Sequence, residues 1–578
     1  MSARASRNTP ATTTRDPEGP APLGASIIGG EAFASDDPAH RFHAQDPSTG
    51  RTLPMAYVCA QDEHIDLACR LAWEAFHALK QGEANDRARL LDMIADALVS
   101  LGDPLLAIAQ RETGLSPSRL VAERERAVAN LRLCAQTVRS GAWCDASIDP
   151  GDATRRPTPR PDVRRMYRAM GPAAMLGTCA LPLASGPAGS DVASALAAGC
   201  SVVYKGHPLT PGTHELVAQA ISACVRRAGL PQGAFSFLHA GGGRHDALVR
   251  RLLGHPCVRA VGFAGSVGAC GVIEAIAGAR PDPIPVLAST GTTNPVFLLP
   301  TSLELRSGSI AERMHGAITA FAGQQCTRPG LIFVVRSDAA EDFTRELATR
   351  MNESVSQTML SHGHRMHLAE RLEELRTIEG LSVRGGSPQG AHADTGDTHA
   401  QGVPVRCSPT LLRCTFDSFR AAPALVREVF GPVATIVVCG HESELLTAAS
   451  MMQGSLAASI FAAGHDAPLA AQLAGILEAR VGRLVFNAPP TGVEVCGSMV
   501  HGGPYPAGTV SPAGSGVGPL AVSRWCRPVC YQNAPETLLP PELRDANPLG
   551  IMRTISGTVT SEPVQRRAKD KGEAKAER

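Results

Sequence analysis

The spacing of hydrophobic positions changes near Gly171, and this change separates two kinds of predicted element. From Asp62 to Leu101 apolar residues recur at helical spacing, which predicts two amphipathic helices; further helices are predicted over 103–113 and 118–141. Beyond Gly171 short apolar runs alternate with longer helical segments. We therefore expect a helical N-terminal region followed by α/β structure.

The alternating part of the chain predicts parallel sheets. Its short apolar runs, most of them predicted strands, are 173–176, 201–205, 235–238, 258–263, 294–299, 331–335, 433–438, 457–461 and 482–486. Its predicted helices are 191–198, 213–227, 267–279, 309–324, 338–354, 365–376, 443–453 and 466–477. Strands that alternate with helices are typical of parallel sheets covered by helices, in which ligands bind at the carboxyl ends of the strands.

Four segments interrupt this pattern. Residues 1–22 are rich in Thr, Pro and Arg and are expected to be disordered, as is the charged tail 561–578. The Pro- and Arg-rich segment 147–163 reads as a linker or an extended arm, and the Gly-, His- and Asp-rich segment 384–402 as a surface loop.

Composition narrows the range of partners. The chain has 578 residues, and 55 Lys and Arg against 54 Asp and Glu leave a net charge of +1, which favours neither a nucleic acid nor a membrane as a partner. Aromatic residues make up only 4%, which argues against a base-stacking surface. The 16 cysteines are scattered through apolar stretches, and the N-terminus has no apolar signal core. These features favour reduced thiols and a cytoplasmic location.

One cysteine stands at a position suited to chemistry. Cys326 follows Gly323-Gln324 at the end of a predicted helix and precedes the predicted strand 331–335. A thiolate at such a junction can face a cleft and attack a carbonyl carbon. A free cysteine is more often a buried structural residue, so both interpretations stay open on this residue alone.

Several runs together resemble a known family. Four of them, in order along the chain, are Val202–Lys205, Phe263–Ser266, Gly323–Cys326 and Glu428–Pro432. In this order and spacing they resemble the aldehyde dehydrogenase superfamily. Four further runs are similar to its branch that oxidises 2,5-dioxopentanoate, or α-ketoglutarate semialdehyde: Thr491–Cys496, Met499–Pro504, Arg527–Gln532 and Asp545–Leu549. The resemblance extends from about Ile27 to Leu549.

The resemblance implies a three-part α/β architecture. A Rossmann-like cofactor domain with the N-terminal helices would cover 23–300, a catalytic domain 301–505, and a C-terminal segment 506–560. An oligomerisation arm would cover 143–165 and pair edge strands between protomers. A homodimer or homotetramer is therefore expected, together with a small-molecule aldehyde substrate.

The resemblance also implies the chemistry. Cys326 would be the nucleophile, and its own backbone N–H would donate to the oxyanion. Lys205 would reach the adenosine ribose or its phosphate. Gly265 and Ser266, at the start of a helix, would bind the pyrophosphate, while Glu428 would bind the nicotinamide ribose.

Two further positions complete the expected cofactor site. Phe430 would pack near the nicotinamide ring. Pro208 stands where an NAD-preferring relative commonly carries a glutamate, whose charge would repel a 2′-phosphate. NADP is therefore the expected cofactor, with NAD as the alternative. No metal site is expected, because the cluster His362, His364 and His367 has no completing Cys or carboxylate nearby and reads as a solvated helix start.

Two positions depart from the family pattern. Ser289 stands where the family has its general-base glutamate, and Ala180 where it has an oxyanion-binding asparagine. Glu494 and His501 are candidates to replace the base. The predicted function is NADP-dependent oxidation of a small oxo-acid semialdehyde to the carboxylate. The alternatives are a cofactor-binding protein with little turnover and an enzyme that acylates coenzyme A, which needs no water-activating base.

Overall fold

The structure is a computed structural model that describes residues 20–34, 37–386, 402–509 and 515–565. Of the terminus 1–22 that is predicted to be disordered, residues 1–19 lie outside the described residues. Of the predicted tail 561–578, residues 566–578 lie outside them. Most of the predicted loop 384–402 also lies outside them.

The N-terminal region consists of four strands and four helices. The strands are β1 Ser26–Ile28, β2 Glu31–Phe33, β3 Arg41–Asp46 and β4 Arg51–Val58, and the helices are α1 Asp62–Gln81, α2 Ala84–Ser100, α3 Gly102–Thr113 and α4 Pro117–Ser140. Helix α4 starts where Ser116 accepts a hydrogen bond from the Arg119 amide, and it ends at Gly141, whose φ of 71° is the left-handed conformation that glycine adopts at helix ends. The four predicted N-terminal helices are confirmed.

Strands β5 Ser147–Asp149 and β6 Val163–Ala169 lie in the region of the predicted arm 143–165. They belong to a five-stranded sheet with the order β21-β6-β5-β22-β23, whose other members come from the C-terminal segment. Those members are β21 Cys526–Gln532, β22 Arg553–Ile555 and β23 Thr558–Thr560, which follow α15 Pro519–Ser523. Arg164 of β6 is buried and pairs with Asp162 and Asp545, so a charge cluster ties the arm to the C-terminal segment.

The first large sheet has the order β11-β10-β7-β8-β9-β1-β2. Its parallel strands are β7 Ala173–Leu176, β8 Val202–Lys205, β9 Phe235–Leu238, β10 Ala260–Gly265 and β11 Val286–Thr290, and its helices are α5 Ser190–Ala198, α6 Pro211–Arg227, α7 His245–Gly254 and α8 Val267–Gly278. Strands β8 and β9 are buried throughout because helices cover both faces of the sheet. The predicted α/β class is confirmed, and the strand order is of the Rossmann-like kind.

The second large sheet has the order β15-β17-β18-β13-β12-β19-β20. The strands of this part are β12 Val296–Leu298, β13 Leu331–Val335, β14 Gln357–Thr358, β15 Ser382–Gly386, β16 Arg406–Cys407, β17 Thr410–Thr415, β18 Val433–Cys439, β19 Ala458–Phe461 and β20 Leu484–Phe486. Its helices are α9 Pro300–Thr319, α10 Asp338–Glu353, α11 His362–Arg376, α12 Phe416–Ala421, α13 Glu442–Met451 and α14 Ala467–Leu477. Because β12 is one of its strands, this sheet begins before residue 301.

Helix α9 contains a break at Arg306, whose φ of −144° is not helical, and only the part after this break corresponds to the predicted helix 309–324. It begins at Pro300, where the Asp466 carboxylate accepts hydrogen bonds from the amides of Thr301 and Ser302 at 3.0 and 2.9 Å. A carboxylate that is remote in sequence thus caps the helix, which a local pattern cannot reveal. The helix ends at Thr319, and a short 3₁₀ turn, Ala320–Gly323, follows.

Nothing in the described part of the chain combines the helix length and apolar character that a bilayer crossing needs.

Candidate active site

Cys326 lies in the turn between the 3₁₀ segment Ala320–Gly323 and β13. Gly323 has a φ of +66°, and a Cβ there would stand 2.2 Å from the Gly431 carbonyl oxygen. Only glycine fits so close an approach. The two predicted motifs around Cys326 and Glu428 therefore pack directly against each other.

Asn294 holds this turn in place, and the sequence analysis did not identify it. Its side-chain amide donates to the carbonyl oxygens of Cys326 and Arg328 at 2.9 and 3.0 Å. Asn294 is fully buried, and its φ of 44° places it in the left-handed region, which asparagine tolerates. Its place just before a proline and a buried strand was the one available signal, and it does not specify the contact.

The imidazole of His501 is in contact with the thiol. Its Nε2 lies 3.7 Å from Cys326 Sγ. Its backbone is fixed on both sides, because its N–H donates to Ser515 Oγ at 3.1 Å and its carbonyl accepts from the Gly516 amide at 2.6 Å. The structure thus brings together two of the residues that the sequence analysis singled out.

Burial sets the charge state of this pair. Burial, together with the nearby guanidinium groups of Arg126, Arg483 and Arg524, lowers the pKa of His501 to about 3. Burial also raises the pKa of the Cys326 thiol above its ordinary value, although the nearby Arg126 acts in the opposite direction. At neutral pH the resting pair is therefore a thiol beside an uncharged imidazole.

Four arginines surround the pair, and three of them are engaged. Arg119 donates to Glu123 at 2.8 Å, Arg483 donates to the carbonyl oxygens of Pro490 and Gly492, and Arg524 pairs with Asp191. Arg126, from α4, has no hydrogen bond or ion pair within the described ranges. Its pKa is lowered by burial and raised by Cys326 and Glu494. A cation without a fixed partner thus lies beside the thiol.

At the two positions that depart from the family pattern, the structure shows neither a base at Ser289 nor a side-chain donor at Ala180 among the described residues. Ser289, in β11, forms a bridge with Gly508, and no basic side chain within the described residues hydrogen-bonds to it. Ala180 lies in the loop after β7 and offers no side-chain donor. Glu494 is exposed, and its carboxylate accepts from its neighbour's Val495 amide. Of the two candidate bases, only His501 contacts Cys326 in the structure.

The predicted cofactor residues lie at the carboxyl ends of the first sheet. Lys205 ends β8 and is 2% exposed, and its pKa is lowered to about 7 by burial. Gly265 ends β10, and Ser266 caps α8 by accepting from the Ala269 amide at 3.2 Å. The edge formed by these strand ends is where such sheets bind dinucleotides.

Glu428 lies at the same sheet edge, next to the end of β11, whereas Phe430 packs against a helix of the second sheet. A Cβ added to Gly291, just past β11, would stand 1.9 Å from Glu428 Oε2, so the carboxylate packs directly on this glycine. Burial raises the pKa of Glu428 to about 7, and Arg328 acts against this rise. Phe430 packs against His364 of α11, with ring centroids 5.4 Å apart.

These residues fit a nicotinamide dinucleotide. The Lys205 ammonium is buried without an acceptor among the described residues, and the first turn of α8 presents open backbone N–H groups beside Ser266. A buried cation and a free helix N-terminus on one sheet edge suit a phosphate-bearing ligand.

Comparisons with known proteins identify the family of the chain. Residues 33–509 match the aldehyde dehydrogenase family. The chain is 41% identical to α-ketoglutaric semialdehyde dehydrogenase 2 of Azospirillum brasilense, covering 92% of this chain and 99% of that protein. It is 36% identical to α-ketoglutaric semialdehyde dehydrogenase of Acinetobacter baylyi, covering 93% and 99%.

A solved structure shows the same fold at lower identity. The salicylaldehyde dehydrogenase of Pseudomonas putida G7, complexed with salicylaldehyde, superposes with a TM-score of 0.73 at 20% identity, over 88% of this chain and 98% of that one. The chain therefore belongs to the aldehyde dehydrogenase family and is an oxidoreductase that acts on aldehydes.

Proposed function

We propose that this enzyme oxidises a small oxo-acid semialdehyde, such as 2,5-dioxopentanoate, to the carboxylate with NADP as the hydride acceptor. The observation that carries this proposal is Arg126, which lies near the Cys326 thiol and has no hydrogen bond or ion pair among the described residues. A substrate that carries an aldehyde at one end and a carboxylate at the other satisfies both groups at once. The names of the two similar semialdehyde dehydrogenases support the same substrate class.

A cavity that borders the residue before Cys326 has room for a small substrate. A cavity of about 390 Å³ is lined by Phe321, Gln325 and Thr491, among others, next to the turn that carries Cys326. Arg119 lies over the Phe321 ring at 4.2 Å and holds that wall. We infer that the aldehyde approaches the thiol from this side.

The chain's own groups supply most of the chemistry. Cys326 attacks the aldehyde carbon, and its backbone N–H donates to the developing oxyanion. With Ala180 in place of a second donor, this stabilisation is weaker by about 3–4 kcal/mol than with a side-chain amide. The bound nicotinamide supplies the hydride acceptor. Hydrolysis of the resulting thioester on Cys326 then frees the acid.

NADP is the cofactor that the residues favour over NAD. Lys205 and Ser266 would hold the adenosine phosphates, and Glu428 the nicotinamide ribose. Pro208, next to the strand end that carries Lys205, places no negative charge where a 2′-phosphate would lie. We therefore expect tighter binding of NADP than of NAD.

The decisive experiment follows NADPH formation from 2,5-dioxopentanoate, with Cys326→Ala as the control. We expect turnover by the wild type and none by the variant. If both are inert while NADP still binds, the chain is a cofactor-binding protein with little turnover. If turnover requires added coenzyme A, the enzyme acylates that thiol instead of water.

A further inference from the structure

A segment that follows His501 in the chain packs beside the strand that carries Ser289. Residues 507–509 run beside β11: the Thr290 amide donates to the Ala507 carbonyl at 3.1 Å, and Thr509 Oγ1 donates to the Val286 carbonyl at 2.6 Å. This pairing fixes the chain that follows His501 against the strand that carries Ser289. A side chain from the 499–504 run can therefore act where β11 contributes only a hydroxyl.

Gly516 connects the two positions. Its amide donates to the His501 carbonyl at 2.6 Å, and a Cβ on Gly516 would stand 3.6 Å from Ser289 Oγ. His501 and Ser289 thus flank the same glycine, and the imidazole projects from there to Cys326 Sγ at 3.7 Å. The imidazole is the group in this pocket that has both a proton-accepting nitrogen and a direct contact with the reacting sulfur.

The charges that face His501 keep the imidazole neutral in the resting site, and neutralising one of them would make it a stronger base. Arg126 approaches from α4, Arg483 from the residue before β20, and Arg524 from the end of α15, while Cys326 is the titratable neighbour across the contact. Three cations disfavour the imidazolium, so the imidazole is neutral around pH 7 and one of its two ring nitrogens carries a free electron pair. Since Arg483 and Arg524 are engaged with other groups, Arg126 is the cation that a substrate carboxylate can neutralise.

We propose that His501 is the general base of this enzyme and performs the proton transfers for which β11 provides no carboxylate. The inference rests on the proposed function, because it needs Cys326 as the nucleophile. It assigns a catalytic role to an imidazole that comes from the C-terminal loop rather than from the first sheet.

The steps balance with His501 as a temporary proton carrier. On attack, the thiol proton moves to Nε2, sulfur bonds to the carbonyl carbon, and the carbonyl electron pair moves onto oxygen. The imidazolium then releases its proton to solvent. The carbon–hydrogen bond of the adduct would break with loss of hydride to the nicotinamide cofactor of the proposed function, and the oxygen electron pair would re-form the carbonyl of a thioester. On hydrolysis, Nε2 takes a proton from water, the hydroxide oxygen bonds to the thioester carbon, and the carbon–sulfur bond breaks. Sulfur leaves as a thiolate and recovers the proton from the imidazolium.

The carboxylates of Glu428 and Glu494 are less suited than His501 to act as the general base. Glu428 packs on Gly291 and lies in the field of Arg328, and Glu494 is exposed. Glu428→Gln serves as the comparison variant for a base within the pocket.

The test uses p-nitrophenyl acetate, which acylates a reactive thiol and needs no cofactor. Stopped-flow release of p-nitrophenolate separates the acylation burst from the slower deacylation by water. We expect His501→Gln to slow deacylation about 10²-fold, with the burst amplitude retained. His501→Ala should behave alike and regain deacylation when imidazole is added. The exposed His441→Gln is the matched surface control.

The outcomes separate this inference from the proposed function. A wild-type burst that disappears in Cys326→Ala supports the nucleophile, and its absence in the wild type overturns the proposed function itself. If the burst is present but His501→Gln deacylates at the wild-type rate, or imidazole restores nothing to His501→Ala, His501 is not the base. A loss confined to Glu428→Gln would assign the role to Glu428 instead. Circular dichroism of each variant confirms that it is folded.

Discussion

At the scale of single residues, the site is defined by a thiol, an imidazole and a guanidinium that has no ion pair in the described part of the chain. Cys326 and His501 are in contact at 3.7 Å, and Arg126 adds a positive field to both. Each of these groups comes from a different part of the chain, and Asn294 fixes the turn that carries the thiol. The chemistry of the site therefore depends on a few side chains that come from distant parts of the chain and are brought together by the fold.

Replacing Arg126 by methionine should impair binding of the acidic substrate selectively. A charge-assisted hydrogen bond to a carboxylate is worth about 1.5–3 kcal/mol, so kcat/KM for 2,5-dioxopentanoate should fall about 10- to 150-fold. For pentanal, which lacks the carboxylate, the ratio should change little. Steady-state kinetics with both aldehydes provide the measurement, and Arg124→Met, on the same helix, is the control. An equal loss for both aldehydes would mean that Arg126 does not bind the carboxylate.

Lys205 should make cofactor binding depend on pH. Its pKa of about 7 in the free protein means that the ammonium loses its proton as the pH rises through 7. A bound phosphate favours the charged form, so binding raises this pKa and takes up a proton above pH 7. The dissociation constant of NADP should therefore increase from pH 7 to 9.

Calorimetric titrations in two buffers of different ionisation enthalpy measure this proton uptake. Lys205→Met should bind NADP more weakly and lose the buffer dependence. If wild type and variant take up the same number of protons, another group is responsible.

At the scale of elements, sequence patterns located most of the helices after Gly171 to within a few residues, but they missed many strands, among them β1–β4 and β14–β17, and the contacts of the site. Buried strands such as Leu331–Val335 are apolar on both faces, so each is visible in the sequence as a short continuous apolar run. The start of α9 depends on Asp466, which is remote in sequence, and β17 was not predicted at all. Motifs indicated Cys326 and Lys205, but the contact of Cys326 with His501 arises only when two distant loops fold together.

Removing the cap of α9 should destabilise the fold around the nucleophile. The buried Asp466 carboxylate accepts from the amides of Thr301, Ser302 and Ala463. Asp466→Ala leaves these donors unpaired and should lower the free energy of unfolding by about 2 kcal/mol. Urea denaturation measures this change, and Glu442→Ala, in the exposed first turn of α13, should have a much smaller effect. Equal midpoints for the two variants would contradict the capping role.

At the scale of the whole molecule, two edge strands, β20 and β21, suggest that copies of the chain associate. Strand β20 ends the second large sheet, and Phe486 on it is 54% exposed. Strand β21 ends the five-stranded arm sheet. Exposed apolar edge strands are commonly covered by another chain. We propose that copies of this chain pair through these edges to give the expected homodimer or homotetramer.

Light scattering after size-exclusion chromatography tests this assembly. The wild type should have two or four times the chain mass of 60.3 kDa. Phe486→Asp places a charge on the open edge and should shift the population toward the monomer. Leu305→Asp, 67% exposed on α9, is the surface control. A wild-type monomer, or an unchanged mass in Phe486→Asp, would contradict pairing through β20.

The most direct test of the central claim is peptide mass spectrometry of enzyme quenched in acid within milliseconds of mixing with NADP and 2,5-dioxopentanoate. Slow hydrolysis should let the acyl thioester accumulate, and we predict that it is found on the peptide containing Cys326 and on no other of the protein's cysteines. An unmodified Cys326 during ongoing NADPH formation, or an acyl group on a different cysteine, would contradict the assignment of this sulfur as the nucleophile.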